Sequence, residues 1–95
     1  MRTARIAAGL PQDRLGVLIG LDEQCSSARI SRYEGGVHEP PFRMAEQIAA
    51  ALRVPVAYFY CPDETLARLL LLAYCLPEAE RERLLEMAQT MTEPS

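Results

Sequence analysis

Ala28-Arg-Ile-Ser-Arg-Tyr-Glu-Gly-Gly36 is the stretch from which the rest of the chain can be read. Ser26 and Ser27, just before it, can accept hydrogen bonds from the free N–H groups of a first helical turn. Gly35-Gly36 can take the left-handed conformation that ends a helix. The spacing therefore predicts a helix of about two turns between those caps, too short to be stable alone. At about 100° per residue, Ile30 and Tyr33 share one side while Ala28, Ser31 and Arg32 share the other. The apolar pair is an anchor that turns the small side chains and the guanidinium outward. Such a helix suits a DNA major groove, because no bulk obstructs its approach.

Upstream, Arg2 to Ala8 reads as a first helix closed by Gly9, with Ile6 and Leu10 supplying apolar contacts. Pro11 suits the opening of a second helix, where its missing donor costs nothing. Leu15, Leu18 and Ile19 form that helix's expected core face, Gly20 its stop, and Gln12 and Arg14 its exposed start. Leu21 to Cys25 then reads as a polar connection. Downstream, the adjacent prolines of Val37-His-Glu-Pro-Pro41 forbid regular helix. Phe42, Ala45, Ile48, Ala49 and Leu52 recur at helical spacing, and Pro55 begins a short fifth helix reaching about Tyr60. Asp63 is a cap for a helix through about Cys75. Pro77 opens a last one ending near Met91, and Thr92 to Ser95 is expected to fray. No strand-like alternation appears. The fold expected is all-α: a five-helix domain over residues 1–60 and a two-helix extension over 61–95.

Composition sets bounds on function. A chain of 95 residues, 49% hydrophobic and 24% charged, is one globular domain of modest core. No apolar run is long enough to span a bilayer, and the start lacks the apolar segment of a signal peptide, so a cytoplasmic protein is expected. The net charge of −3 is unevenly spread. Residues 1–60 hold seven arginines against six acids, and residues 61–95 hold three against seven. Lysine is absent, so every permanent side-chain cation is an arginine, the residue suited to bidentate binding of phosphate or guanine. This split predicts a DNA-facing front and an acidic rear.

Five segments, in order, resemble the phage repressor/Cro helix-turn-helix family, also called XRE. They are Ala4-Arg-Ile-Ala-Ala-Gly-Leu-Pro-Gln12, Leu15-Gly-Val-Leu-Ile-Gly20, Ile30-Ser-Arg-Tyr-Glu-Gly35, Ala45-Glu-Gln-Ile-Ala-Ala-Ala-Leu52 and Val54-Pro-Val-Ala-Tyr-Phe59. The resemblance implies a repressor-like domain whose third helix reads the major groove. It implies that Gln12 approaches a backbone phosphate, that Ser27, Ala28 and Arg32 face base edges with Arg29 beside them, and that Arg43 lies near the backbone. Arg14 and Ser31 complete the expected DNA-binding set. Arg5 and Glu34 match a structural pair joining helices one and three. The ten steps from Gly20 to Ile30 exceed the family's usual spacing, so a longer, acidic turn containing Asp22 and Glu23 is expected.

The expected partner is double-stranded DNA carrying an inverted-repeat operator, bound by a homodimer acting as a small transcriptional regulator, a repressor. An antitoxin, a restriction–modification controller, or an interaction module that has lost DNA and takes a protein partner stay open. No catalytic constellation, cofactor motif or metal-ligand spacing is evident, so neither an enzyme nor a cofactor is expected. His38 has no base or nucleophile partner in sight, and Cys25, Cys61 and Cys75 read as small buried or half-buried residues. The extension is apolar all round between Leu66 and Cys75. Leu66, Leu69, Leu70 and Ala73 form the arc expected to pack on the domain. Leu71, Leu72 and Cys75 form the arc expected at the dimer interface. The competing reading is a closed monomer, in which Leu84, Leu85, Ala88 and Met91 cover that second arc.

Overall fold

The computed structural model describes residues 1–93, and every regular element among them is helical. Pro94 and Ser95, where fraying is expected, lie outside the described residues. The order is α1 (Arg2–Ala7), α2 (Gln12–Leu18), α3 (Glu23–Glu34), α4 (Phe42–Leu52), a 3-10 turn (Val56–Tyr60), α5 (Glu64–Cys75) and α6 (Glu78–Thr92). The fifth short helix of the sequence reading is thus that 3-10 turn.

The largest difference lies in α3. Its N-cap is Asp22, whose Oδ1 accepts from the Gln24 amide at 3.0 Å, so Ser26 and Ser27 stand inside the helix. The residues expected to lengthen the turn instead lengthen the helix at its start. Asp22-Glu23 is itself a good helix opening, with a capping carboxylate and an acid in the first turn. The real turn is short and closed at Gly20. There φ is +92°, Leu21 N–H donates to the Gly16 carbonyl and Gly20 N–H to that of Val17. The same pair of bonds ends α4, but there Arg53 takes the left-handed position at φ 58°.

Leu15, Ile19, Ile30, Ile48, Ala49, Leu52 and Val54 form the core, with Ala4 at its edge and Tyr33 and Leu10 packed against it. Two expected core contacts are corrected. Leu18 is 61% exposed, because the core takes the pair Leu15 and Ile19, four residues apart, and Leu18 falls beside that line. Ile6 is also exposed, and Leu10 alone of that pair reaches the core.

α5 docks on a face partly different from the expected one: Leu70 and Ala73 of the expected inner arc are half-buried, but Leu66 and Leu69 are not. Ala67 is buried and Leu71, one turn later, packs against the N-terminal core, while Leu66, Leu69 and Leu72 are exposed. A helix apolar on all sides does not declare its inner face by periodicity; the small Ala67 permits the closer approach. Leu71 therefore faces its own chain, whereas Leu72 and Cys75 are exposed. Nor does α6 fold back as a cover: only Leu84 is half-buried, and Leu85, Ala88 and Met91 stand exposed. Its root is fixed by Arg81, which donates to the carbonyls of Ala73 (3.0 Å), Tyr74 (3.4 Å) and Leu76 (3.0 Å), the free carbonyl end of α5. The molecule is accordingly elongated, 58 × 25 × 21 Å.

Candidate nucleic-acid interface

The site is built where α2 and α3 cross. Gly16 and Ser26 are both buried there, and the Ser26 hydroxyl donates to the Asp13 carbonyl at 2.5 Å. With Ile30 and Ser26 inward, α3 presents Gln24, Ser27, Ala28, Ser31 and Arg32 outward, all exposed. Four of these, Ser27, Ala28, Ser31 and Arg32, were anticipated from the sequence. Arg29 is exposed on the flank of that face, and with Arg32, Tyr33, His38 and Glu39 it lines a surface hollow. Arg14 is exposed in the first turn of α2 and Arg43 in the first turn of α4. Among the described residues none of Arg14, Arg29, Arg32 and Arg43 is held in an ion pair.

Behind this face runs a row of hydrogen bonds joining three helices. Arg5 Nε donates to Glu34 Oε2 at 2.7 Å, and Arg5 Nη1 to the Leu10 carbonyl at 2.9 Å. Gln12 Nε2 donates to Glu34 Oε1 at 3.0 Å, and the Ser27 hydroxyl donates to Gln12 Oε1 at 3.3 Å. The Arg5 and Glu34 side chains are only 12% and 4% exposed, so the structure brings this pair together away from solvent. Burial pushes the Glu34 carboxyl's pKa up, but hydrogen bonds from Arg5 and Gln12 outweigh it, leaving the pKa below the ordinary value. Gln12 is thus half-buried rather than exposed as expected, because its side chain is engaged on Glu34 and Ser27.

Two features of the site escaped the sequence reading. The contact of Gly16 with Ser26 lies inside two helices, and nothing but a small residue in each segment hints at it. The extra first turn of α3 places Asp22, Glu23 and Gln24 at the exposed opening of the helix, near Asp13 and Arg14, which share a hollow with Glu23. The exposed Cys25 belongs to the same turn and, like Cys75, is not the buried thiol expected. No group of three or more metal-ligating side chains gathers among the described residues, and no helix of theirs is long and apolar enough to cross a membrane.

Residues 1–58 match a family model described as a helix-turn-helix domain. Among solved structures, the chain is similar to the crystal structure of the transcriptional regulator BswR. The two are 42% identical over 94% of this chain and 88% of that one, with a TM-score of 0.89. A comparison with curated proteins finds no match.

Proposed function

Since the chain belongs to the helix-turn-helix domain family, we propose that it is a sequence-specific double-stranded DNA-binding regulator of the phage repressor/Cro type. It acts as a homodimeric repressor at an inverted repeat. The observation that carries this is the outer face of α3: small side chains at Ser27, Ala28 and Ser31 with Arg32 at their edge, in no ion pair among the described residues. Short side chains let the helix axis come close to the base edges, and Arg32 can bind guanine in a bidentate way. Arg14 and Arg43, each in the first turn of its helix, supply phosphate contacts beside helix ends of partial positive charge.

Uncovered apolar surface supports the two-fold partner. A helix of 15 residues is marginal in water, yet α6 has no fully buried residue and only Leu84 half-buried in its own chain. Leu66, Leu69 and Leu72 on α5 and Leu85, Met87 and Met91 on α6 are all exposed. Large apolar side chains gathered on an exposed surface mark an interaction site. A second copy covers it and doubles the reading head to match a palindrome. Leu69→Glu combined with Leu72→Glu is expected to give monomers in sedimentation equilibrium.

The exposed Asp13, Asp22 and Glu23 favour a second reading, an interaction module that does not bind DNA. Mobility shift on random duplex with a salt titration decides between the two. A phosphate-binding face loses affinity steeply as salt rises, and an absence of any shift at low salt excludes the DNA reading.

A further inference from the structure

The row from Arg5 to Ser27 has a direction, and the direction ends on the reading face. Arg5 holds Glu34 as a carboxylate, and a carboxylate only accepts hydrogen bonds. The Gln12 side chain meets it at 3.0 Å, so the amide must turn its NH₂ toward Glu34. Its oxygen is then turned toward Ser27, and the only hydrogen bond that oxygen can make there is one donated by the Ser27 hydroxyl. The Ser27 proton is thereby spent within the protein. What the exposed hydroxyl offers outward is its lone pairs.

We propose that Ser27 reads DNA as an obligate acceptor, selecting a base with an exocyclic amino group, adenine or cytosine, over one with a keto oxygen, guanine or thymine. In the major groove, adenine N6 and cytosine N4 donate, whereas guanine O6 and thymine O4 only accept. A free serine hydroxyl turns either way and serves all four. The serine here is polarised by a charge two residues removed in the bonded row, so Gln12 is a positioning residue for Ser27 as well as a brace between α2 and α3. The inference rests on the DNA-binding reading and adds to it the class of base at one position. Its signature is unusual: one position per half-site that accepts adenine and cytosine alike and rejects the other two.

The test begins with binding-site selection by the purified full chain, followed by titration of the selected duplex and its single-base variants. Wild-type protein is expected to show the adenine-or-cytosine position with a preference on the order of fivefold, the worth of one neutral hydrogen bond. Replacing that adenine with purine, which lacks the 6-amino group, should cost wild type the same factor. Ser27→Ala should be indifferent to the replacement. Gln12→Ala, which frees the hydroxyl to rotate, should erase the discrimination at that position, so that the guanine and thymine variants bind it as well as the adenine duplex does, whatever its overall affinity. Circular dichroism of both variants checks that they fold as wild type. A selected operator with no such position, or one whose preference survives Ser27→Ala, overturns the inference and leaves the DNA-binding reading standing. A protein that selects no sequence and shifts no duplex overturns both.

Discussion

Gly16 and Ser26 meet so closely that a Cβ built on Gly16 would lie 1.8 Å from the Ser26 Oγ, 2.7 Å from the Ser26 Cβ and 3.0 Å from the Ser26 Cα. The last of these is backbone, so rotating the serine does not relieve the clash, and α2 and α3 must part. Gly16→Ala is expected to destabilise the fold by about 1–3 kcal/mol despite alanine's better helix propensity. Thermal melts measure this. Adding Ser26→Gly removes the two shortest contacts and should recover part of the loss; no recovery would put the strain elsewhere.

Arg5→Ala strands a buried carboxylate. Because Glu34 is nearly inaccessible, the expected loss is in the range of about 3–5 kcal/mol, well above that of an exposed pair. An unchanged melting curve would remove the pair from the account.

The same pair sets an acid limb. Glu34's pKa is lower folded than unfolded, so its stabilisation is complete above the unfolded value and is lost as pH falls through the folded one. Melting temperatures of wild type should therefore fall on acidification below about pH 5. In Arg5→Ala, Glu34 loses the hydrogen bond and the charge from Arg5 that help hold its pKa down, so this acid limb should be smaller than in wild type.

Arg32→Ala is expected to weaken binding to the selected operator by about 1–3 kcal/mol and to relax preference at a single base pair. Titration of operator and random duplex side by side is the check. An equal loss on both would make Arg32 a phosphate contact.

Arg81→Ala removes three bonds to the carbonyl end of α5. These are largely solvent-exposed, so the expected cost is on the order of 1 kcal/mol. It should appear as lost helicity in α6 by circular dichroism and as a weaker dimer in sedimentation, with Arg5 and the reading face undisturbed.

The core and the order of helices were legible because Leu15, Ile30, Ile48 and Leu52 recur at helical spacing between glycine and proline stops, and punctuation of that kind is local. The outward set Ser27, Ala28, Ser31 and Arg32 was legible for the same reason: fixing Ile30 inward fixes its opposite. The start of α3 was not, because Asp22 and Ser26 are equally good caps and the choice falls to packing, which buries Ser26 on Gly16. The inner face of α5 was hidden by its own composition, since Leu69 through Leu72 offer every direction an apolar group. Gln12's link to Glu34 spans 22 residues, and no periodicity carries information over such a separation.

Leu76 and Pro77, both extended, are all that joins α5 to α6, and proline's fixed φ and the Arg81 bonds stiffen that elbow. In the proposed pair, the elbow works as a ruler. With pairing surface on both α5 and α6, the angle held here would help set how far apart two copies of α3 stand, and so the number of base pairs between half-sites. The letters of an operator would then be chosen by α3 and its spacing by residues that touch no DNA, so that either could change in evolution while the other is kept.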